Sequence, residues 1–226
     1  MPGTDAAARM LAAERFDPDC RRCVRLAEFL DGVRDMYPDY FARPVPSFGD
    51  ASARLLIVGL APGMHGANAT GRPFTGDFAG ILLYRTLFAF GFATAPESVA
   101  ADDGLELRNC RITNAVRCLP PGNKPVTAEV DACNAYLAGE LASLPSPGIV
   151  LALGTIAHRA VLRAAGVKLS AFRFAHGTRH DIAAGVTLVD SYHCSRYNTQ
   201  TRRLTAEMFQ DVFRAVRGEL DAINDG

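Results

Sequence analysis

Residues 54–77 read RLLIVGLAPGMHGANATGRPFTGD. The opening RLLIVG is a short apolar run with β-branched residues, closed by glycine. That pattern predicts a strand buried on both faces, as in a parallel sheet. The 19 residues from Gly59 to Asp77 then hold five glycines and two prolines, with His65, Asn68, Arg72 and Asp77 among them. The stretch lacks both G-x-G-x-x-G and G-K-[ST], so a nucleotide-phosphate cradle is a poor reading. Bare backbone at a strand end instead suits a pocket wall that a flat ligand or a sugar approaches closely. Phe74 offers that pocket an aromatic face, and Asp77 a carboxylate.

Outward from this strand, strands and helices alternate. Leu26, Phe29, Leu30, Val33 and Tyr37 share one face of a helix over residues 20–37, which Pro38 ends. Residues 78–91 read as a helix closed by Gly91, 109–116 as a second strand, and 127–144 as a helix after the proline-rich loop LPPGNKP. Residues 148–154 (GIVLALG) read as a third strand, 155–166 as a helix, 185–190 as a fourth strand and 205–220 as the last helix. The alternation predicts an α/β fold with an open, mainly parallel sheet covered on both faces. No internal repeat or long linker interrupts it, so residues 1–226 are expected to form a single domain, with 1–15 as an N-terminal extension. In such sheets sites form beyond the carboxyl ends of the strands. Three polar stretches fall there: 60–77, 114–123 and 191–203.

Bulk properties narrow the function classes. Twenty-four Lys and Arg balance 24 Asp and Glu, so bulk basicity does not make this a nucleic-acid binder. The distribution is uneven, however. No acid lies between Leu141 and His180, a span carrying Arg159, Arg163, Lys168, Arg173 and Arg179; Arg196, Arg202 and Arg203 follow. A neutral protein with one positive face can hold a phosphate backbone, and scattered solvated charges are the competing reading. No apolar run reaches membrane-span length. The N-terminal Ala/Leu stretch is broken by Arg9, Glu14 and Arg15, which argues against a signal peptide. A reducing, cytoplasmic setting is the expectation, with no membrane association, and it makes the six cysteines thiols or metal ligands.

Cys20 and Cys23 form a C-x2-C at the start of the first helix, while Cys118 and Cys133 flank the proline loop. Four thiolates in two pairs suit tetrahedral zinc or a [4Fe–4S] cluster. Spacing does not choose between them, although the wide second pair leans toward a cluster, and four buried thiols are the bland alternative. Cys110, within a strand, reads as core; Cys194 lies in the last polar loop.

Together, GLAPGMHGANATGRPFTGD (59–77), TNAVRC (113–118), SYHCSRYNTQTRRLT (191–205) and the four cysteines resemble the uracil-DNA glycosylase superfamily, in its iron–sulfur B-type (family 5) branch. The resemblance runs from Cys20 to the last helix. It implies a three-layer α/β/α sandwich around a four-stranded, mainly parallel sheet, in agreement with the four strands read above. It also implies a glycosylase that flips uracil, and other deaminated bases such as hypoxanthine, out of DNA and hydrolyses the N-glycosidic bond. The partner would then be lesion-bearing DNA, and the protein a monomer with one open face.

The resemblance assigns roles by position. Asp77, Asn114 and His193 would be catalytic. Gly59, Ala61, Gly63 and Phe74 would bind the base, Ser195 and Arg196 the DNA. Cys20, Cys23, Cys118 and Cys133 would hold a structural [4Fe–4S] cluster. Leu60 and Ala61 stand where many relatives carry an acid or amide, which leaves Asp77 as the carboxylate. Three positions depart from the branch: Ala69 replaces an Arg, Arg202 a Gly, and Cys194 follows His193 where many relatives have Pro. Read without the family, Asp77 or Thr75 would be a helix N-cap, Asn114 a strand-end backbone partner, and His193 and Phe74 core residues. His65 receives no role, and His158 reads as structural. A narrow uracil-only glycosylase, a non-catalytic lesion binder and a zinc-bearing α/β hydrolase are the competing functions.

Overall fold

A computed structural model describes residues 15–224. The expected N-terminal extension lies outside the described residues except for Arg15. The elements are α1 (Val24–Met36), β1 (Phe48–Gly49), β2 (Leu55–Gly59), α2 (Ala67–Thr70), α3 (Phe78–Ala89), β3 (Cys110–Asn114), α4 (Thr127–Ala142), β4 (Gly148–Leu153), α5 (Thr155–Ala164), β5 (Arg179–Ala183), β6 (Val186–Ser191), α6 (Arg196–Gln200) and α7 (Ala206–Asn224). A 3₁₀ turn at Pro121–Asn123 precedes α4.

The sheet has order β1-β3-β2-β4-β6-β5. The four strands expected from the sequence form its parallel centre, with β2 against β3 and β4, and β4 against β6. Two short antiparallel edge strands, β1 on β3 and β5 on β6, make the sheet six-stranded instead of four. Neither edge carries the buried-strand signature. β1 has two residues, and β5 reads RHDIA, exposed at every second position. Edge strands that are short or polar resist pairing with other chains.

Every residue of β2 and β4 is buried, because helices cover both faces. The period-2 alternation sends Leu55, Ile57, Ile149 and Leu151 toward α3 and α7, where they meet Leu83, Leu87, Phe209 and Phe213. Leu56, Val58, Val150 and Ala152 point the other way, onto Val130 and Leu137 of α4 and Ala157 and Val161 of α5. Burying each Leu or Ile contributes about 1.5–3 kcal/mol, so the alternation fixes the sheet between its two helical layers. Helix α1 begins at Val24, later than the expected residue 20, which leaves Cys20 and Cys23 in the turn before it. Among the described residues no helix is long and apolar enough to cross a membrane.

Candidate base-binding pocket and cysteine cavity

A cavity of about 430 Å³ opens at the carboxyl ends of the parallel strands. It gathers Ala61, Gly63, Phe74, Asp77, Asn114, His193, Ser195 and Arg196 from the three polar stretches. Gly59 lies beneath it: a Cβ there would overlap Asn114 Oδ1 and come within 2.6 Å of Phe74 Cζ. The sequence reading missed the contribution of β4, whose end supplies Leu153, Gly154 and Ile156. It also named neither Asn123, in the 3₁₀ turn, nor Phe78 and Ala79, which complete the wall. Gly154 and Asn123 both sit at positive φ, a turn signal that sequence carries only faintly.

The 60–77 loop is pinned from below. Arg72 is buried and pairs with Asp103 at 2.6 Å, bonds Ser98 and the Ala101 carbonyl, and lies over the Phe48 ring. The Tyr84 hydroxyl donates to the Pro73 carbonyl at 2.8 Å. Phe74 itself has φ +61, a conformation that disfavours side chains and persists where the surroundings over-determine it. Its carbonyl leaves no room for a Cβ on Gly80, and its ring packs on Gly59. The ring is therefore clamped, 5.9 Å from the His193 ring at an interplanar angle of 26°.

Asp77 stands at the N-cap position of α3, yet its side chain makes no capping bond. Instead the carboxylate turns back onto the glycine loop and accepts the Ala67 N–H at 3.1 Å, with a further bond from the Gly63 N–H. A Cβ on Gly63 or Gly66 would overlap Asp77 Oδ1. These two glycines are thus small for the carboxylate's sake. Burial raises the Asp77 pKa above its ordinary value, and the two N–H bonds oppose the rise. Thr75, the other candidate cap, is buried and bonded to Ser98 at 2.7 Å.

Asn114 is 4% exposed at the end of β3, and its Oδ1 has no hydrogen-bond partner. A buried acceptor left unpaired costs about 1–3 kcal/mol, and a ligand donor would relieve it. His193 is half-buried, with its Nδ1 enclosed and unpartnered. Burial pushes its pKa down to about 4, so the imidazole is neutral near pH 7 and donates from one nitrogen only. Ser195 caps α6 by accepting the Asn198 N–H, and Arg196 lies over Phe78, 4.8 Å from the ring centroid, at the cavity mouth.

Other histidines stay away. His65 is exposed and bonds the Tyr40 hydroxyl at 2.9 Å. His158 and His180 both bond the buried Asp190, at 2.8 and 3.1 Å. His158 also bonds the Phe172 carbonyl, so both of its ring nitrogens are engaged in holding the fold.

Cys20, Cys23, Cys118 and Cys133 line one small cavity between α1, the segment after β3, and α4. Cys110 and Cys194 are elsewhere and fully buried. A single zinc with Zn–S bonds of about 2.3 Å needs its sulfurs roughly 4 Å apart. Among the described residues, the metal-capable set whose ligand atoms all lie within 4.8 Å is His158, His180 and Asp190; no three of the cysteines meet that closely. The backbone N–H of Arg117 donates to Cys133 Sγ at 3.3 Å, the kind of bond that supports a cluster thiolate.

The family profile described as the uracil DNA glycosylase superfamily matches residues 46–217. The chain is 48% identical over 198 residues to a type-5 uracil-DNA glycosylase of Thermus thermophilus, covering 85% of this chain and 90% of that one. It is 44% identical to a type-5 enzyme of Pyrobaculum aerophilum, covering 87% of each. To one of Mycobacterium leprae it is 45% identical, covering 86% of this chain and 89% of that one. A profile spanning the sheet from β1 into α7, and relatives matched across most of their length, place this chain in the uracil-DNA glycosylase superfamily, in its type-5 branch.

Proposed function

We propose that the protein is a DNA glycosylase that flips uracil, and other deaminated bases such as hypoxanthine, into the 430 Å³ cavity and hydrolyses the N-glycosidic bond, leaving an abasic site. The observation that carries this is the unpaired, buried Asn114 Oδ1 beside a clamped aromatic ring and a half-buried carboxylate. Deamination turns a ring nitrogen into an N–H donor and its neighbouring amine into a carbonyl. An Asn amide reads that edge with one acceptor and one donor. Uracil and hypoxanthine share the edge, whereas cytosine and adenine would set a lone pair against Oδ1. Rejection by an unpaired polar group is the stronger form of selectivity.

Cleavage breaks the bond between C1′ and the base nitrogen, and the electron pair leaves on the base. A hydrogen bond from neutral His193 to the base carbonyl stabilises the charge that develops there. The Asp77 carboxylate stabilises the positive sugar or orients the water whose oxygen bonds to C1′. Phe74 stacks on the base, and the backbone of Gly63 and Ala61 lets the sugar approach. Ser195 and Arg196 meet the DNA at the mouth.

The same reading gives Cys20, Cys23, Cys118 and Cys133 a structural [4Fe–4S] cluster, supported by the one cavity that all four line. Such a group would cross-link α1, the β3 end and α4, and the reaction needs no electron from it.

The test is base release from matched oligonucleotides carrying uracil, hypoxanthine or normal bases, followed by alkaline cleavage of abasic sites. Cutting at both lesions and at no normal base is expected. Lesion binding without cutting would make the protein a binder, and cutting at uracil alone would remove the broad spectrum. Two substitutions sharpen the test. Asn114→Ala removes contacts of about 1–3 kcal/mol and should lower kcat/KM for uracil by roughly 5- to 150-fold. Gly66→Ala should displace the Asp77 carboxylate and cost about 10²-fold in single-turnover release.

A further inference from the structure

Beside the base pocket lies a second groove, of about 630 Å³, between α3, the end of α6 and the start of α7. Phe78 borders both cavities, so the groove lies directly beside the pocket. Its floor is apolar: Phe78 is 38% exposed and Ile81 48%. Its rim is cationic, with Arg85 and Arg202 lining it and Arg196 over Phe78 where the cavities meet. Arg85 is tied to Glu97 at 3.0 Å. Arg202 is not tied: among the described residues its guanidinium makes no hydrogen bond, ion pair or ring contact, and the residue is exposed. Its backbone has φ +56, the left-handed region that favours glycine. A long side chain kept at a glycine-favouring position, unpaired and at the edge of an apolar groove, serves nothing in the fold.

We propose that this groove holds the nucleotides flanking the lesion on one side of the same strand, and that Arg202 grips a phosphate there. This rests on the glycosylase reading and adds to it a strand-binding subsite specific to Arg202. Apolar and aromatic surface accepts any base by stacking, while cations on the rim take the backbone. Adjacency to the pocket through Phe78, with Arg196 and Arg202 beside it, favours the lesion strand over a protein partner.

The experiment measures binding of oligonucleotides carrying a non-cleavable abasic analogue as a function of salt, with uracil release followed in parallel. The substitution Arg202→Gly suits the backbone better, so its melting temperature should rise slightly. Its DNA affinity should fall roughly threefold to tenfold at physiological salt, and the salt slope should shrink by about one phosphate. Arg202→Lys keeps the charge and should restore the slope. Trimming the oligonucleotide on one side of the lesion should weaken the wild-type protein more than it weakens Arg202→Gly, which keeps the apolar floor but not the phosphate grip. If wild-type protein releases uracil while Arg202→Gly keeps its affinity, slope and trimming response, the groove assignment is wrong and the function stands. If wild-type protein neither binds nor cuts the lesion, the functional reading fails first.

Discussion

Replacing Asp77 by asparagine is expected to lower single-turnover uracil release by about 10²–10⁴-fold, the range a positioned acid–base group supplies. The same change should raise thermal stability at neutral pH. The Asp77 carboxyl is held above its ordinary value of 3.8 by burial, so the folded protein binds this proton more tightly than the unfolded chain does. The stability it confers is present below about pH 4 and is lost as pH rises through the elevated folded value. Asparagine stays neutral throughout and still accepts the Ala67 N–H. The melting-temperature advantage of the variant should therefore vanish on acidification. Activity runs opposite: release should rise with pH as Asp77 ionises, its acid limb displaced upward from the usual carboxylate range. His193, with its pKa pushed down to about 4, is neutral at the upper end of that limb and at neutral pH. Rate and melting profiles from pH 4 to 8 check both, and unchanged release in the variant would remove Asp77 from the chemistry.

Cys118→Ser is expected to have the second large effect, on the fold itself. Cys118 and Cys133 stand on either side of the proline loop, and Cys20 and Cys23 precede α1, so a group shared by all four would close the 94 residues between Cys23 and Cys118. Binding free energy at such a site is folding free energy. The variant should lose its iron, about four per chain in the wild type, together with its brown colour, and melt roughly 10 °C lower or more. Cys110→Ala and Cys194→Ala provide the contrast. Both thiols are fully buried and outside the cavity, so these variants should keep the iron and lose only packing. A colourless wild-type protein carrying one zinc would overturn the cluster.

Three carboxyl-terminal strand ends, and through them most of the pocket, were legible before any coordinates. RLLIVG and GIVLALG fit strands covered on both faces, as the structure has them, and the glycine-rich, acid-ended stretch after the first suits a close-approach wall better than a phosphate cradle. These are local properties: hydrophobic period and side-chain size act within a few residues of one another. Other features depended on contacts between distant segments. The edge strands β1 and β5 exist only because β3 and β6 offer unpaired backbone beside them. Asp77 sits where a cap belongs, and only the packing of Gly63, Gly66 and Ala67 against it shows that its carboxylate faces the pocket instead of the helix. Gly154, Ile156 and Asn123 reach the site because β4 and the proline loop end beside β2. Arg202 stood out in the sequence as an Arg in place of a Gly, and the structure added that its backbone is left-handed and its guanidinium unpaired among the described residues. The sequence by itself determined which segments form the core and which stay small and polar. The tertiary structure decided where each side chain points, because direction is set by neighbours far away in the chain.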